Sequence, residues 1–244
     1  MSDDIESKLS GKSEGTILGG VREKLIRTKE QWAAEGRGLS GENPPEKTKE
    51  KTKEKTSEPN KKRLPPGQRL TSDFPVLDLG VQPDIPLDQW RFTVSGLVEN
   101  QIDWDWQQFN SQPQTTLVND IHCVTTWSRY DNEWQGVCAS HLLDVVKPKP
   151  NAAFLVFYSH DGYTTNVPLS AFDDTDVMLA HSWNGKPLTR AHGGPVRPII
   201  PKLYFWKSAK WIKHITFMDK DAPGFWEVRG YNNNADPWKE ERYG

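Results

Sequence analysis

The sequence predicts an α+β domain with mixed sheets, preceded by an extension that has no core of its own. Three observations carry this. Short strand-like runs outnumber helix-like ones. The 244 residues include 18 Pro and 18 Gly, which suit a loop-rich fold better than a helix bundle. Of the 11 Trp, ten follow residue 89, so the large apolar surface lies in the later two thirds.

The N-terminal extension is taken as residues 1–69. Residues 21–35, VREKLIRTKEQWAAE, predict a helix whose Val21, Leu25, Ile26 and Trp32 share one face, ended by Gly36 and Gly38. Residues 42–63 hold an EKTK repeat and no core residue. Such a segment buries too little apolar surface to offset chain entropy, so it reads as a solvated linker. The folded domain is placed at 70–244.

Within it, Arg91–Val98 alternates and predicts a strand. Thr116–Val118 predicts another that leads into Ile121-His122-Cys123. Ala139–Val146 is a short helix stopped by Pro148. Ala153–Tyr158 is a buried strand, and Asp161-Gly162 turns it into a partner at Tyr163–Val167. Met178–His181 is a strand or short helix before the Asn184-Gly185 turn. Val196–Ile200 and Trp211–Phe217 complete the strands.

Charge excludes one class of partner. Residues 74–244 carry 15 Lys/Arg against 20 Asp/Glu, so a general basic face for nucleic acid is not expected. No apolar run approaches the roughly 20 residues of a membrane span, and the first 15 residues have no leader-like apolar stretch, so a cytoplasmic location is expected. Two cysteines make no disulfide framework; a single Cys123–Cys138 bridge is the plain alternative to two free thiols.

Between Asp176 and Asp219 there is no acidic residue, yet Lys186, Arg190, Arg197, Lys202, Lys207, Lys210 and Lys213 fall there with His181, His192 and His214. Seven cations without an internal counter-charge call for an anion or for carboxylates elsewhere in the domain. His192-Gly193-Gly194-Pro195-Val196-Arg197 lets backbone N–H groups approach a ligand. Arg197 offers a planar fork for phosphate. Lys207, Ser208 and Lys210 add further donors. Hydrogen bonds to charged groups contribute about 1.5–3 kcal/mol each, so three or four would hold a phosphorylated ligand firmly.

Cys123 follows a strand and sits among His122, Thr125, Thr126, Ser128 and Arg129, polar company for a thiol. It suits a nucleophile or a soft metal ligand. His122 is a poor base for it, because neighbours on a strand face opposite ways. A cysteine hydrolase would need a distant base such as His160 or His181. Cys138, beside Val137 and Ala139, reads as structural.

Three segments resemble the oxidoreductase molybdopterin-binding domain of the sulfite oxidase superfamily, over roughly residues 74–218. Residues 184–197, NGKPLTRAHGGPVR, resemble its NGxPLxRxHGxPVR segment. Residues 206–212, WKSAKWI, are similar to xKSxKWI, and Ser95–Val98 resembles the early VxGLV strand. The resemblance implies a mixed-sheet α+β fold around one molybdenum-molybdopterin cofactor, with Cys123 as the metal ligand. It implies that His192, Arg197, Ser208 and Lys210 bind the pterin phosphate with Lys207 close by, and that Ser159 contacts the cofactor. The implied chemistry is oxygen-atom transfer to or from a small sulfite-like or sulfoxide-like substrate, served by an electron carrier. Arg129, His160 and Tyr163 are the candidates for touching substrate. Residues 123–128, CVTTWS, depart from the CxGNRR of animal and plant sulfite oxidases and look more like the CVxxWS of bacterial methionine sulfoxide-reducing relatives. A non-catalytic module for a phosphorylated ligand is the alternative of a different class.

Overall fold

The computed structural model describes residues 63–244. The helix expected at 21–35 and all but the last residue of the linker lie outside the described residues. Residues 63–76 and 82–244 belong to one compact unit, and Leu77–Val81 fall outside it.

In chain order the elements begin with β1 (Arg69–Leu70), β2 (Arg91–Gly96), β3 (Ile102–Asp105) and α1 (Trp106–Ser111). Then come β4 (Thr115–His122), β5 (Trp127–Cys138), α2 (Ala139–Val146), β6 (Phe154–Ser159), β7 (Thr164–Pro168) and α3 (Leu169–Phe172). The chain closes with β8 (Met178–Trp183), β9 (Lys186–Pro187), β10 (Arg197–Ile199) and β11 (Ile212–Met218).

Two mixed sheets result. One runs β1-β5-β8-β10, with β4 also on β5 and β9 on β8; the other runs β3-β2-β11-β6-β7. The β1–β5 and β2–β11 pairs are parallel and the rest antiparallel. This is the α+β architecture that the short strand-like runs predict. The helix expected at Ala139–Val146 forms with those bounds and buries Ala139, Leu142 and Val146, one stripe at helical spacing. Asp105 caps α1: its carboxylate accepts from Gln108 N, and the Gln108 side chain accepts from Asp105 N. That fixes Phe109 against Trp90, with ring centroids 5.3 Å apart.

The longest strand, β5, is not among the sequence expectations. Its buried positions include Asn132 and Gly136 as well as Trp134, so the inward face is not apolar in a simple alternation. Gly136 is required by close approach: a Cβ there would lie 2.0 Å from the Leu179 carbonyl oxygen on β8. Asn132 is buried because its amide donates to Asn119 O at 3.2 Å and Arg129 O at 2.9 Å, which spans the bulge between β4 and β5.

The chain ahead of Leu70 already contacts the domain. Arg63 Nη2 pairs with Asp120 at 2.6 Å and Asp131 at 2.7 Å. Both cysteines are free thiols, so the Cys123–Cys138 bridge does not form. Among the described residues no helix is long and apolar enough to cross a membrane.

Candidate cofactor and metal-ligand site

Cys123 occupies the turn between β4 and β5. Its N–H donates to Trp127 O at 2.8 Å, and Thr126 N donates back to Cys123 O at 3.0 Å. Thr126 closes the turn in the left-handed region, at φ 72°. The thiol is buried, with Sγ 3.2 Å from Thr125 Oγ1. Burial pushes this thiol up; the Thr125 hydroxyl and the Arg242 guanidinium pull it back. The His122 ring turns away, with Nδ1 2.8 Å from Ser128 Oγ, as the opposite-face argument requires. Burial holds that imidazole neutral, down to about 4.

The basic segments assemble next to one another. A 3-10 turn at Arg190–His192 ends on Gly193, whose φ of +98° and 2.9 Å approach of a would-be Cβ to Lys210 Cβ both demand glycine. A cis Gly194-Pro195 bond then leads into β10. Trp211 N donates to Gly193 O at 3.1 Å, Trp211 Nε1 to Arg190 O at 2.8 Å and Lys210 Nζ to Ala191 O at 2.7 Å. The segment after β9 and the segment before β11 are thereby locked together.

Arg197 is the centre of this group. It is only 2 % exposed, and its guanidinium lies 4.1 Å over the Phe205 ring. Nη1 donates to His192 O at 2.9 Å and Nη2 to Ser208 O, while the buried Nε has no partner. Among the described residues no carboxylate forms an ion pair with it. Burial pushes it down to about 9, opposed by Tyr163 and Cys123. Ser208 is buried; its Oγ accepts from Ile200 N at 3.0 Å and keeps its own hydrogen for another acceptor. Ser159 pairs with Ile212 across β6 and β11, and its buried Oγ has no partner. Next to it, His160 Nε2 is likewise buried without a partner. An uncompensated guanidinium beside orphaned hydroxyl and imidazole atoms fits a phosphorylated, polar ligand.

His192 belongs to the same group, with Nδ1 3.0 Å from Thr189 Oγ1 and Nε2 3.0 Å from Phe74 O. The Phe74 ring stacks on it at 4.0 Å and packs edge-on against Trp127, Trp134 and Trp183. Sequence reasoning gave Phe74 no role; its one signal is being the first Phe in the chain. Beside His192 opens a cavity of about 260 Å³ lined also by Trp183, Asn184, Lys186, Pro187, Leu188 and Thr189, the body of the NGKPLTR segment.

Three expected site residues are otherwise engaged. Lys207 is fully buried and turned from the group. Its ammonium pairs with Glu227 Oε1 at 2.7 Å and donates to Asn166 O and Oδ1 at 2.9 and 3.0 Å. All three hydrogens are used, so Lys207 serves a buried ion pair instead of the phosphate donor set. Arg129 donates to Ser72 O at 3.1 Å and to Asn132 Oδ1, and lies 4.7 Å over the Trp183 ring. Tyr163 donates its hydroxyl to Trp206 O at 2.8 Å, and burial holds that phenol far above its ordinary range. Sequence reasoning also missed Gln68, whose Nε2 donates to Cys123 O at 3.0 Å, and Arg242.

Among the described residues no group of three or more His, Cys, Asp or Glu could hold a metal by itself. A metal at Cys123 would need ligands from outside the described residues, which a dithiolene-bearing pterin would supply.

The family model for the oxidoreductase molybdopterin-binding domain matches residues 79–226. The oxidoreductase YuiH of Bacillus subtilis is 42% identical over 185 residues, 74% of this chain and 92% of that one. The methionine-sulfoxide reductase catalytic subunit MsrP of Ralstonia nicotianae is 27% identical, over 61% of this chain and 51% of its own. Nitrate reductase [NADPH] of Fusarium oxysporum is 29% identical, and the match spans only 21% of its length. In fold, the chain resembles the sulfane dehydrogenase SoxCD of Paracoccus pantotrophus, with a TM-score of 0.53 and 22% identity over 61% of this chain and 42% of that one. The chain belongs to the oxidoreductase molybdopterin-binding domain family of the sulfite oxidase superfamily.

Proposed function

We propose that this molybdopterin oxidoreductase catalyses oxygen-atom transfer to or from a small sulfur-centred substrate, with Cys123 as the protein ligand to molybdenum. In this reading Arg197, Ser208 and Lys210 bind the pterin phosphate, and Ser159 and His160 bind the cofactor's polar edge. His192, whose ring is held by Thr189 and Phe74 O, positions the segment and would have to release Phe74 O to donate to the phosphate itself. The observation that carries it is Arg197: a buried guanidinium without a carboxylate, held open between two carbonyls, with Nε unpartnered. A phosphate oxygen pair satisfies both its charge and its geometry.

When bound, the cofactor supplies the two-electron redox chemistry of oxygen-atom transfer. The chain's own residues do the rest. Cys123 presents sulfur from a turn pinned at both ends. Gln68 holds that turn by its carbonyl. Arg129, through Asn132 and Trp183, and Tyr163, through the Trp206 carbonyl, support the walls. Lys207 with Glu227 fixes the end of the 3-10 turn Phe205–Lys207, which Ser208 and Lys210 follow. An electron carrier completes the cycle, as a second protein or a small redox molecule.

A cysteine hydrolase is disfavoured because Sγ of Cys123 meets the Thr125 hydroxyl and no imidazole, while His181 is engaged by Gln114 and Ser182 and His160 Nε2 has no partner. The test is metal and pterin analysis of protein purified from a molybdenum-replete host, followed by turnover with sulfite and with a sulfoxide using an artificial electron carrier. Stoichiometric molybdenum with turnover of either substrate supports the reading. Protein without molybdenum that retains a phosphorylated ligand supports the non-catalytic alternative instead.

A further inference from the structure

The β4–β5 hairpin presents Cys123 at its tip, and a residue that precedes the matched domain, residues 79–226, holds it just below that tip. Asn119 pairs with Asn132 and Ile121 with Arg129, so Asp120 on β4 faces two residues of β5, Tyr130 and Asp131. Such a bulge bends the hairpin and sets where its tip points. The tip beyond it is short: Ile121 and His122 on one side, residues 127–129 on the other, and the Cys123 turn between them. Asp131 lies in the left-handed region, at φ 52°, and its N–H donates to Asp120 Oδ1 at 3.0 Å. The shape of the bulge therefore depends on where the Asp120 carboxylate is held.

Arg63 holds it. Its Nε donates to Asp120 Oδ2 at 2.9 Å, and its Nη2 donates to Asp120 Oδ1 at 2.6 Å and to Asp131 Oδ1 at 2.7 Å. The guanidinium lies 4.4 Å over the Tyr130 ring. An isolated surface ion pair contributes little. Here one cation takes two carboxylates and an aromatic face at once, and the Asp120 side chain is only 17% exposed. Without that cation the two carboxylates would converge on one point with like charge and push the two sides of the bulge apart. From Arg63 the chain runs on along the tip. Arg69 N donates to Thr126 O and Thr71 N to Ser128 O, each at 2.9 Å, and Gln68 holds Cys123 O.

We propose that Arg63 is a positioning residue for the reaction: by locking Asp120 against Asp131 it fixes the aim of the turn that presents Cys123. The proposal rests on Cys123 being the metal ligand. Among the described residues the polar contacts of Arg63 are all with the bulge, so it acts on the thiol through Asp120 and Asp131. Two consequences separate this role from a general loss of stability. Without Arg63 the Cys123 thiol should become accessible while the fold elsewhere stays closed. Removing the repulsion between the two carboxylates should then restore the turn. Asp131→Asn supplies that change, because asparagine carries no charge and suits the left-handed region as well as aspartate does.

The test uses the full-length chain in two forms. In cofactor-free protein, from a host that makes no molybdopterin, alkylation of Cys123 by iodoacetamide is measured against that of Cys138 by mass spectrometry. Cys123 is a buried free thiol in the wild type and should react slowly. Arg63→Gln should raise its rate about 10-fold, the span of one lost charge-assisted contact, with Cys138 unchanged. Arg63→Gln combined with Asp131→Asn should return the rate toward that of the wild type. Arg91→Gln, which breaks the exposed pair with Asp103 on the other sheet, should change neither thiol. In the holoprotein, at matched molybdenum content, Arg63→Gln should lower kcat by a similar factor and leave KM nearly unchanged, and the double variant should recover kcat. The proposal is overturned by an unchanged Cys123 rate in Arg63→Gln, by an equal rise at Cys138, or by a double variant no better than Arg63→Gln. It is also overturned by an unchanged kcat or by a loss that falls on KM. Wild-type protein that carries no molybdenum overturns the ligand assignment, and with it the positioning role, whatever the labelling shows.

Discussion

Replacing Arg197 by Met should have opposite effects on the cofactor-free and cofactor-loaded protein. Without an anion, the buried guanidinium is a liability. Its depression to about 9 corresponds to roughly 5 kcal/mol of uncompensated burial at ~1.36 kcal/mol per pH unit. The sign follows from linkage: a cation whose folded value lies below its unfolded one destabilises the fold at every pH below the folded value. That cost is therefore fully present at pH 7 and is relieved only above about 9. Methionine removes it but orphans the carbonyls of His192 and Ser208, at about 1–3 kcal/mol each. The two terms nearly cancel, so the cofactor-free variant should melt within a few degrees of cofactor-free wild type. Two charge-assisted bonds to phosphate, about 1.5–3 kcal/mol each, are lost from the loaded form. Pterin retention should fall at least ~100-fold. The assay is fluorescence of the released, oxidised pterin together with thermal melts of both forms, with Lys213→Ala on the exposed side of β11 as control. Full pterin content in Arg197→Met, or a collapse of the cofactor-free melt, would refute the reasoning.

Cys123→Ser should abolish turnover with pterin content largely kept, because a hard hydroxyl is a poor substitute for the thiolate; Cys138→Ser should do neither. Breaking the buried Lys207–Glu227 pair by Lys207→Met should cost about 3–5 kcal/mol in urea unfolding, and adding Glu227→Met should recover part of it; additive losses would contradict the pairing. His122, neutral down to about 4, should make wild-type stability fall as pH drops from its ordinary range toward that value and then level off. His122→Asn should flatten this dependence. A chain beginning at residue 61 should keep cofactor and activity, whereas one beginning at Leu70 loses Gln68 from the Cys123 carbonyl and should turn over more slowly at equal cofactor content.

Much of the second sheet was legible because its strands are apolar and locally punctuated. Ala153–Tyr158 and Tyr163–Val167 flank an Asp-Gly turn, and β6 and β7 form there within a residue or two. That Arg197 pairs with carbonyls and no carboxylate was legible from charge, since a stretch without acids leaves it no neighbour in sequence to neutralise it. Strand β5 was not, because its inward positions include Asn132 and Gly136, justified by contacts on β4 and β8 that sequence distance hides. Lys207 misled for a related reason. It lies in the basic run, but its counter-charge comes from Glu227, beyond the next strand. Arg242 and Gln68 were invisible because each reaches Cys123 or Val124 across more than fifty residues of chain.

The most direct test of the whole reading is molybdenum per chain in wild type, Cys123→Ser and Arg197→Met, each purified from a molybdenum-replete host and paired with pterin content. The account predicts near-stoichiometric metal and pterin in the wild type, pterin retained without turnover in Cys123→Ser, and both lost from Arg197→Met. Wild-type protein without molybdenum, or Arg197→Met with a full complement of both, would contradict it.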